Sequence, residues 1–256
     1  MATPQLATIA NDIHTRLNDE IMRTFEFMPT TGRKFTRYLD DLNTLGKVDA
    51  ASRSVMLVLL YTLCGDRAQG DYYLDNATRI HAPAGFVKMA RITMLLNLGY
   101  FSESVLEIET IDIVQHGLPD RLMAAQPSNG AFHTLNSLFE RAQQMNISNL
   151  PSKPAGVDAA IQIMDEWGDT DAEYSQALDF AGEIMRERRL IFQENIVVEP
   201  VLHPADGSAG YLKLRFKVAV DLDTSIDMTM EYNERLARSG RKIPPSMIFE
   251  FEGTRQ

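Results

Sequence analysis

Hydrophobic residues recur every three or four positions through most of the first 190 residues, and this spacing predicts a series of amphipathic helices. In the first helix the apolar positions stand four residues apart, at Ile9, Ile13, Leu17, Ile21 and Phe25. A second helix runs from Phe35 to Leu45, and Gly46 suits the left-handed position after its last turn. The pattern therefore predicts that the N-terminal part of the chain forms helical hairpins.

A nearly all-apolar stretch over 50–63 follows Asp49, whose carboxylate can cap a helix. Because this stretch is hydrophobic on almost every side, we expect the helix to be buried in the core. The same periodicity predicts further helices over 86–98, 102–114, 131–145, 157–167 and 171–190.

From residue 195 the hydrophobic period changes from about four to two, which is typical of strands. Two alternating segments, 195–203 and 210–222, flank the turn-rich loop PADGSAG and predict a β-hairpin. A helix over 226–238 is predicted next, with Asp223, Thr224 and Ser225 as its cap, and a last strand over 247–252. The tail is thus a β-β-α-β module.

The predicted fold class is α+β, mostly α. We expect a helical domain over 1–192, built as an array of helical hairpins, and a small α+β module over 193–256 with a three-stranded antiparallel or mixed sheet. Three strands need a covering layer, so the apolar sheet face should pack on its own helix or on the helical region.

The stretch YTLCGDRAQGDYYLDNATRIHAP, from Tyr61 to Pro83, resembles the turn and second helix of a tetratricopeptide repeat. Gly65 and Gly99 are 34 residues apart, which is the length of that repeat. The resemblance covers 50–117; an irregular helical bundle or solenoid is the alternative, since glycine commonly follows helices.

A repeat of this family implies a concave surface that binds other proteins without chemistry of its own. Exposed positions on the first helix of each pair would line the groove, and acidic positions on a second helix would add to it. The candidate partner-binding residues are Ser54, Tyr61, Lys88, Arg91, Glu103 and Glu107.

The acidic charge is concentrated in the middle of the chain. Residues 101–190 contain 6 basic and 15 acidic residues, a net charge of −9 out of −10 for the whole protein. Binding nucleic acid needs an excess of Lys and Arg, so this balance argues against a nucleic-acid partner and favours a basic protein. A solvated face that keeps the protein soluble is the alternative explanation.

The sequence predicts a cytoplasmic protein that does not enter a membrane. Its longest apolar run, 55–61, is far shorter than the roughly 20 residues of a membrane-spanning helix, and its first residues do not resemble a secretory signal. Cys64 is the one cysteine, which excludes an internal disulfide, and its place in an apolar run predicts burial.

One segment, VAVDLDTS over 218–225, resembles the nucleophile motif of the haloacid dehalogenase superfamily. The resemblance implies phosphoryl transfer by Asp221 and Asp223 with magnesium. Thr224 directly follows the second aspartate, which departs from the family's spacing. A strand end and helix cap explain these residues better, and scattered histidines and absent phosphate loops predict no enzyme, cofactor or metal.

A basic stripe is expected on the exposed sheet face, where Lys213, Arg215 and Lys217 alternate with apolar residues. It could hold phosphate groups or RNA. Glu250 and Glu252 alternate in the same way in the last strand, so adjacent strands would give a ladder of ion pairs instead. We favour the ladder.

These observations together predict a non-enzymatic interaction protein: an adaptor, a chaperone or an assembly subunit, acting as a homo-oligomer or within a larger complex. An inhibitor or immunity-type protein that neutralises a basic nuclease is the alternative. A metal-dependent phosphoryl enzyme using Asp221 and Asp223 is a third class.

Overall fold

A computed structural model describes residues 4–113, 128–147, 150, 152–193, 196–202 and 210–254. Over these residues the protein is α+β and mostly helical, and the helices precede a β-β-α-β module, as predicted. The helices are α1 (Pro4–Arg23), α2 (Arg33–Gly46), α3 (Ala50–Leu63), α4 (Arg67–Arg79), α5 (Ala84–Asn97), α6 (Phe101–Glu109), α7 (Phe132–Gln144), α8 (Val157–Trp167), α9 (Asp171–Glu187) and α10 (Leu222–Arg238). The strands are β1 (Ile196–Val201), β2 (Tyr211–Val218) and β3 (Met247–Gly253).

The contacts divide the chain into two compact units. Unit 1 comprises Met1–Leu98 and Arg188–Gln193, and unit 2 comprises Gly99–Glu187 and Glu194–Gln256. This division differs from the predicted boundary between 192 and 193, because helices from the middle of the chain pack with the sheet in unit 2. The helical domain 1–192 and the α+β module 193–256 stay a prediction.

Unit 1 is built around α3, the helix predicted to be buried. Asp49 caps it as expected, since its carboxylate accepts a hydrogen bond from the Ser52 amide at 2.9 Å. The segment 188–193 also belongs to this unit and is hydrogen-bonded to it at two points. The Phe27 amide donates to the Arg189 carbonyl at 2.8 Å, and Asn97 Nδ2 donates to the Phe192 carbonyl at 2.6 Å. The buried apolar side chains of α3 are Met56, Leu57, Val58, Leu59, Leu60 and Leu63.

The end of α2 differs from the prediction. Gly46 is the last residue of the helix and is not left-handed, and Lys47 follows with a φ of −68°. A Cβ at position 46 would lie 2.1 Å from Cδ of Arg53. This glycine therefore serves close packing against a side chain and not a left-handed turn.

Gly65 and Gly99 do adopt left-handed backbone, with φ of 73° and 68°. The first predicted hairpin, α3 and α4, lies entirely in unit 1. The second is divided, because α5 belongs to unit 1 and α6 to unit 2. Residues 114–117 of the proposed repeats lie outside the described residues. The tetratricopeptide resemblance therefore stays a prediction.

The sheet of unit 2 is mixed, in the order β1-β2-β3. β1 and β2 are antiparallel, while β2 and β3, which flank α10 in the chain, are parallel. Its apolar face packs on both expected layers: Tyr232 of α10 lies 4.3 Å from Phe249, and Phe101 of α6 lies 5.5 Å from Phe216, between ring centroids. Among the described residues, none of the helices has the length and hydrophobicity to cross a bilayer.

Candidate functional site

The expected exposure of the groove residues is wrong for Ser54. Its side chain is on α3, only 1% of the residue is exposed, and its Oγ accepts a hydrogen bond from Asn76 Nδ2 of α4 at 2.8 Å. Tyr61 is half-buried and stacks on Tyr73, with ring centroids 5.5 Å apart. Helix α4 therefore occupies the face of α3 that the prediction left open.

Lys88 and Arg91 are half-buried on α5. Arg91 Nη1 lies 3.9 Å from Oδ1 of Asp71, whose other oxygen accepts a hydrogen bond from Arg67 Nε at 3.3 Å. These positions belong to a charged, partly exposed surface of unit 1, and their role in binding stays a prediction.

Glu103 and Glu107 are half-buried on α6, one helical turn apart, in unit 2. The six candidates are thus distributed over both units. The structure does not bring them together within a single unit.

Two residues of the basic stripe on the sheet, Lys213 and Arg215, are paired with acidic residues, as the ladder interpretation predicted. Arg215 lies within 3.3 Å of Glu199 and of Glu252, and 3.7 Å from Glu250, while Lys213 lies 3.0 Å from Glu250. Parallel pairing of β2 with β3 places Glu250 and Glu252 beside the stripe, and antiparallel pairing of β1 with β2 places Glu199 on its other side. The stripe therefore carries much less free positive charge than its sequence indicates.

The end of β2 leads into the cap of α10, but the cap is not the predicted one. The helix begins at Leu222, and the Asp221 carboxylate accepts a hydrogen bond from the Thr224 amide at 2.8 Å. This bond lowers the pKa of Asp221 below its ordinary value. Asp221 is thus the N-cap, and Asp223 lies exposed in the first turn.

A cluster that sequence reasoning missed lies around His133. Its Nδ1 is 3.1 Å from Asp171 and its Nε2 is 3.0 Å from Asp165, and the Asp171 carboxylate also accepts hydrogen bonds from the amides of His133 and Thr134. Burial lowers the pKa of His133, but the two carboxylates outweigh it and the net shift is upward. Within the described ranges no group of three or more His, Cys, Asp or Glu residues is arranged to hold a metal ion.

The surface with the clearest capacity for binding is on α10, and sequence reasoning missed it too. Leu222, Ile226 and Met230 follow each other every four residues and are 66%, 48% and 58% exposed. A second stripe, Met228, Tyr232 and Leu236, lies about 120° around the helix axis from the first and is the one that packs on the sheet side. A helix with a single core contact needs only one apolar stripe. The second stripe was therefore the feature of the sequence that could have predicted an exposed apolar surface on α10.

Acidic residues lie along one side of this exposed stripe. Asp223 and Asp227 lie about 60–100° around the helix axis from its centre, at the usual 100° per residue. Residues 221–231 include four acidic and no basic side chains. We call Leu222, Ile226, Met230, Asp223 and Asp227 together the α10 surface.

Comparisons with known proteins gave no match: no family model, curated protein or solved structure is similar enough to report. Among the surfaces described above, Lys213 and Arg215 of the sheet stripe have ion-pair partners within the chain, and the Asp221 carboxylate accepts a hydrogen bond within it. The α10 surface combines exposed apolar area with open carboxylates.

Proposed function

We propose that this protein is a non-enzymatic interaction protein that binds a basic protein partner, as an adaptor, a chaperone or an assembly subunit. The observation that supports the proposal is the α10 surface. Single exposed apolar residues are common on soluble proteins, but large ones aligned on a helix face are characteristic of binding sites.

The charge distribution adds to this support. The segment 101–190 has a net charge of −9, so a basic partner would be attracted over a distance set by the ionic strength. The proposed location is the cytoplasm, and the tetratricopeptide-like hairpin of α3 and α4 in unit 1 would supply a second contact surface.

Affinity purification from the native host tests the proposal. The tagged wild type is compared with the double variant Ile226→Lys, Met230→Lys, and with Val48→Lys, which changes an isolated residue that is 60% exposed. We expect the α10 variant to lose the recovered partners and the Val48 variant to keep them. Circular dichroism must show both variants folded, and equal recovery by both would contradict the proposal.

The proteins recovered by affinity purification also distinguish an adaptor or assembly subunit from an inhibitor. An adaptor or assembly subunit should recover several members of one complex. A single tightly bound basic protein, such as a nuclease whose activity falls on binding, would favour the inhibitor class instead.

A further inference from the structure

We infer that the α10 surface binds an amphipathic helix with basic flanks, supplied by the partner. The inference rests on the proposed function and specifies the ligand of that site. The partner helix would present apolar side chains at positions such as i, i+4 and i+7, with Lys or Arg beside them.

The backbone chemistry of the surface favours a helical ligand. The middle of α10 offers no main-chain donors or acceptors, since a helix bonds its own amides and carbonyls. A strand laid on it would leave its own groups unpaired on one side, whereas a helix arrives with its backbone satisfied. The neighbouring edge of β3 is partly occupied too, because the Phe251 amide donates to Thr229 Oγ1 of α10 at 2.9 Å.

The dimensions agree with such a ligand. Leu222 and Met230 are eight residues apart, which corresponds to about 12 Å along the helix axis, or just over two turns. Ridges of side chains four residues apart are the elements that interdigitate when two helices pack. Three anchors from an opposing helix would therefore fit between and beside these residues.

The charge argument concerns two particular carboxylates. Glu231 is engaged by Arg235 and Glu234 by Arg238 on α10 itself. Over the part of the chain that the structure describes, no ion pair involves Asp223 or Asp227. These two side chains are available to Lys or Arg of a ligand and lie beside the apolar stripe.

A second copy of the chain fits this surface less well. It would bring the same acidic flank to the interface, and each protein already has a net charge of −10. Like charges close together in an interface oppose association.

Three synthetic helical peptides of about 14 residues, or about four turns, test the inference against the full-length protein. The first has leucines at i, i+4 and i+7 with lysines beside them. The second has the same leucines with glutamates, and the third has the composition of the first with its leucines scattered. Binding is measured by fluorescence anisotropy at two salt concentrations.

We expect the first peptide to bind, more weakly at high salt, and each of the others to bind at least about tenfold more weakly. The variant Asp223→Lys, Asp227→Lys should reverse the preference between the lysine and glutamate peptides. Ile226→Lys should remove binding of all peptides, and Val48→Lys should leave it unchanged.

Equal binding of the scattered peptide, equal binding of the glutamate peptide, or no binding of any peptide would overturn the inference. So would self-association of the wild type that Ile226→Lys abolishes, measured by light scattering. The proposed function is judged separately: if Ile226→Lys, Met230→Lys loses the cellular partners while no peptide binds, the function stands and the helical ligand does not.

Discussion

A Cβ atom on Gly182 would lie 1.9 Å from the carbonyl oxygen of Gly99. The backbone of α9 therefore packs directly against the backbone of the turn that precedes α6. The same carbonyl accepts a hydrogen bond from Arg186 Nη1 at 2.7 Å. Asp179, one turn earlier on α9, accepts a hydrogen bond from the Ser102 amide at 3.1 Å. Helix α9 therefore fixes the first turn of α6 with a glycine, a carboxylate and a guanidinium.

Gly182→Ala should lower the free energy of unfolding by about 3 kcal/mol, the upper part of the range for overpacking, measured by urea denaturation. Alanine has the higher helix propensity by about 1 kcal/mol, but the backbone of Gly99 cannot move aside without displacing α6.

Gly70→Ala is the matched control, because Gly70 is also a buried helical glycine. The added methyl would meet Sδ of Met94, a flexible side chain, and not backbone. We expect the loss there to be clearly smaller. Equal losses for the two variants would contradict the importance of the close approach between α9 and the Gly99 turn.

Asp169→Ala should destabilise the protein by about 3 kcal/mol, because it removes the acceptor of two buried donors. Its Oδ2 accepts from the Ser246 amide at 3.2 Å and from Ser246 Oγ at 2.6 Å, and Tyr174 Oη bonds Ser246 Oγ at 2.6 Å. Thermal or urea unfolding measures the loss. Glu166→Ala, an exposed site nearby, should change stability by less than about 0.5 kcal/mol, and a similar small value for Asp169→Ala would refute the prediction.

The His133 cluster should make stability depend on pH. Because the pKa of His133 is raised in the folded state above its ordinary 6.5, the protonated form stabilises the fold below that pH. The stabilisation should disappear as the pH rises from about 6.5 through the folded-state pKa, and His133→Gln should abolish this dependence.

NMR titration of the imidazole checks this prediction directly. Wild type should titrate above pH 6.5, and Asp165→Asn should lower the midpoint, because it removes one of the two carboxylates that face the ring. A wild-type midpoint at or below 6.5 would count against the predicted dependence.

Cys64 should react with thiol reagents only when unit 1 opens. The cysteine is buried as the sequence predicted, and burial raises the pKa of its thiol to about 12. At pH 8 the thiolate fraction is then about 1000-fold smaller than for an exposed cysteine. Labelling by a chromogenic disulfide should therefore be slow in native protein and fast in urea, and fast native labelling would disprove the burial.

The helices and strands were predictable because their signals are local. The apolar run over 50–63 follows the helix-capping residue Asp49 and forms α3, the central helix of unit 1. The change of hydrophobic period near residue 195 coincides with the start of the sheet. The cap of α10 was placed two residues too late, since several Asp, Thr and Ser side chains follow each other and any of them can cap. Geometry selected Asp221.

The candidate groove was less predictable, because exposure depends on which helices pack together. Ser54 was expected on a surface, yet α4 covers it. His133 and Asp171 are 38 residues apart in the sequence, so nothing local relates them.

From the order of its amino acids alone, this chain specifies a mostly helical protein with a β-β-α-β end and a strongly acidic middle. Those features follow from periodicity, capping and charge, each of which acts within a few residues. Only the tertiary structure decided that β3 pairs in parallel with β2, that α4 covers Ser54, and that α10 leaves one of its two apolar stripes exposed. These outcomes depend on contacts between distant residues, where burial of one face determines which other face remains for a partner.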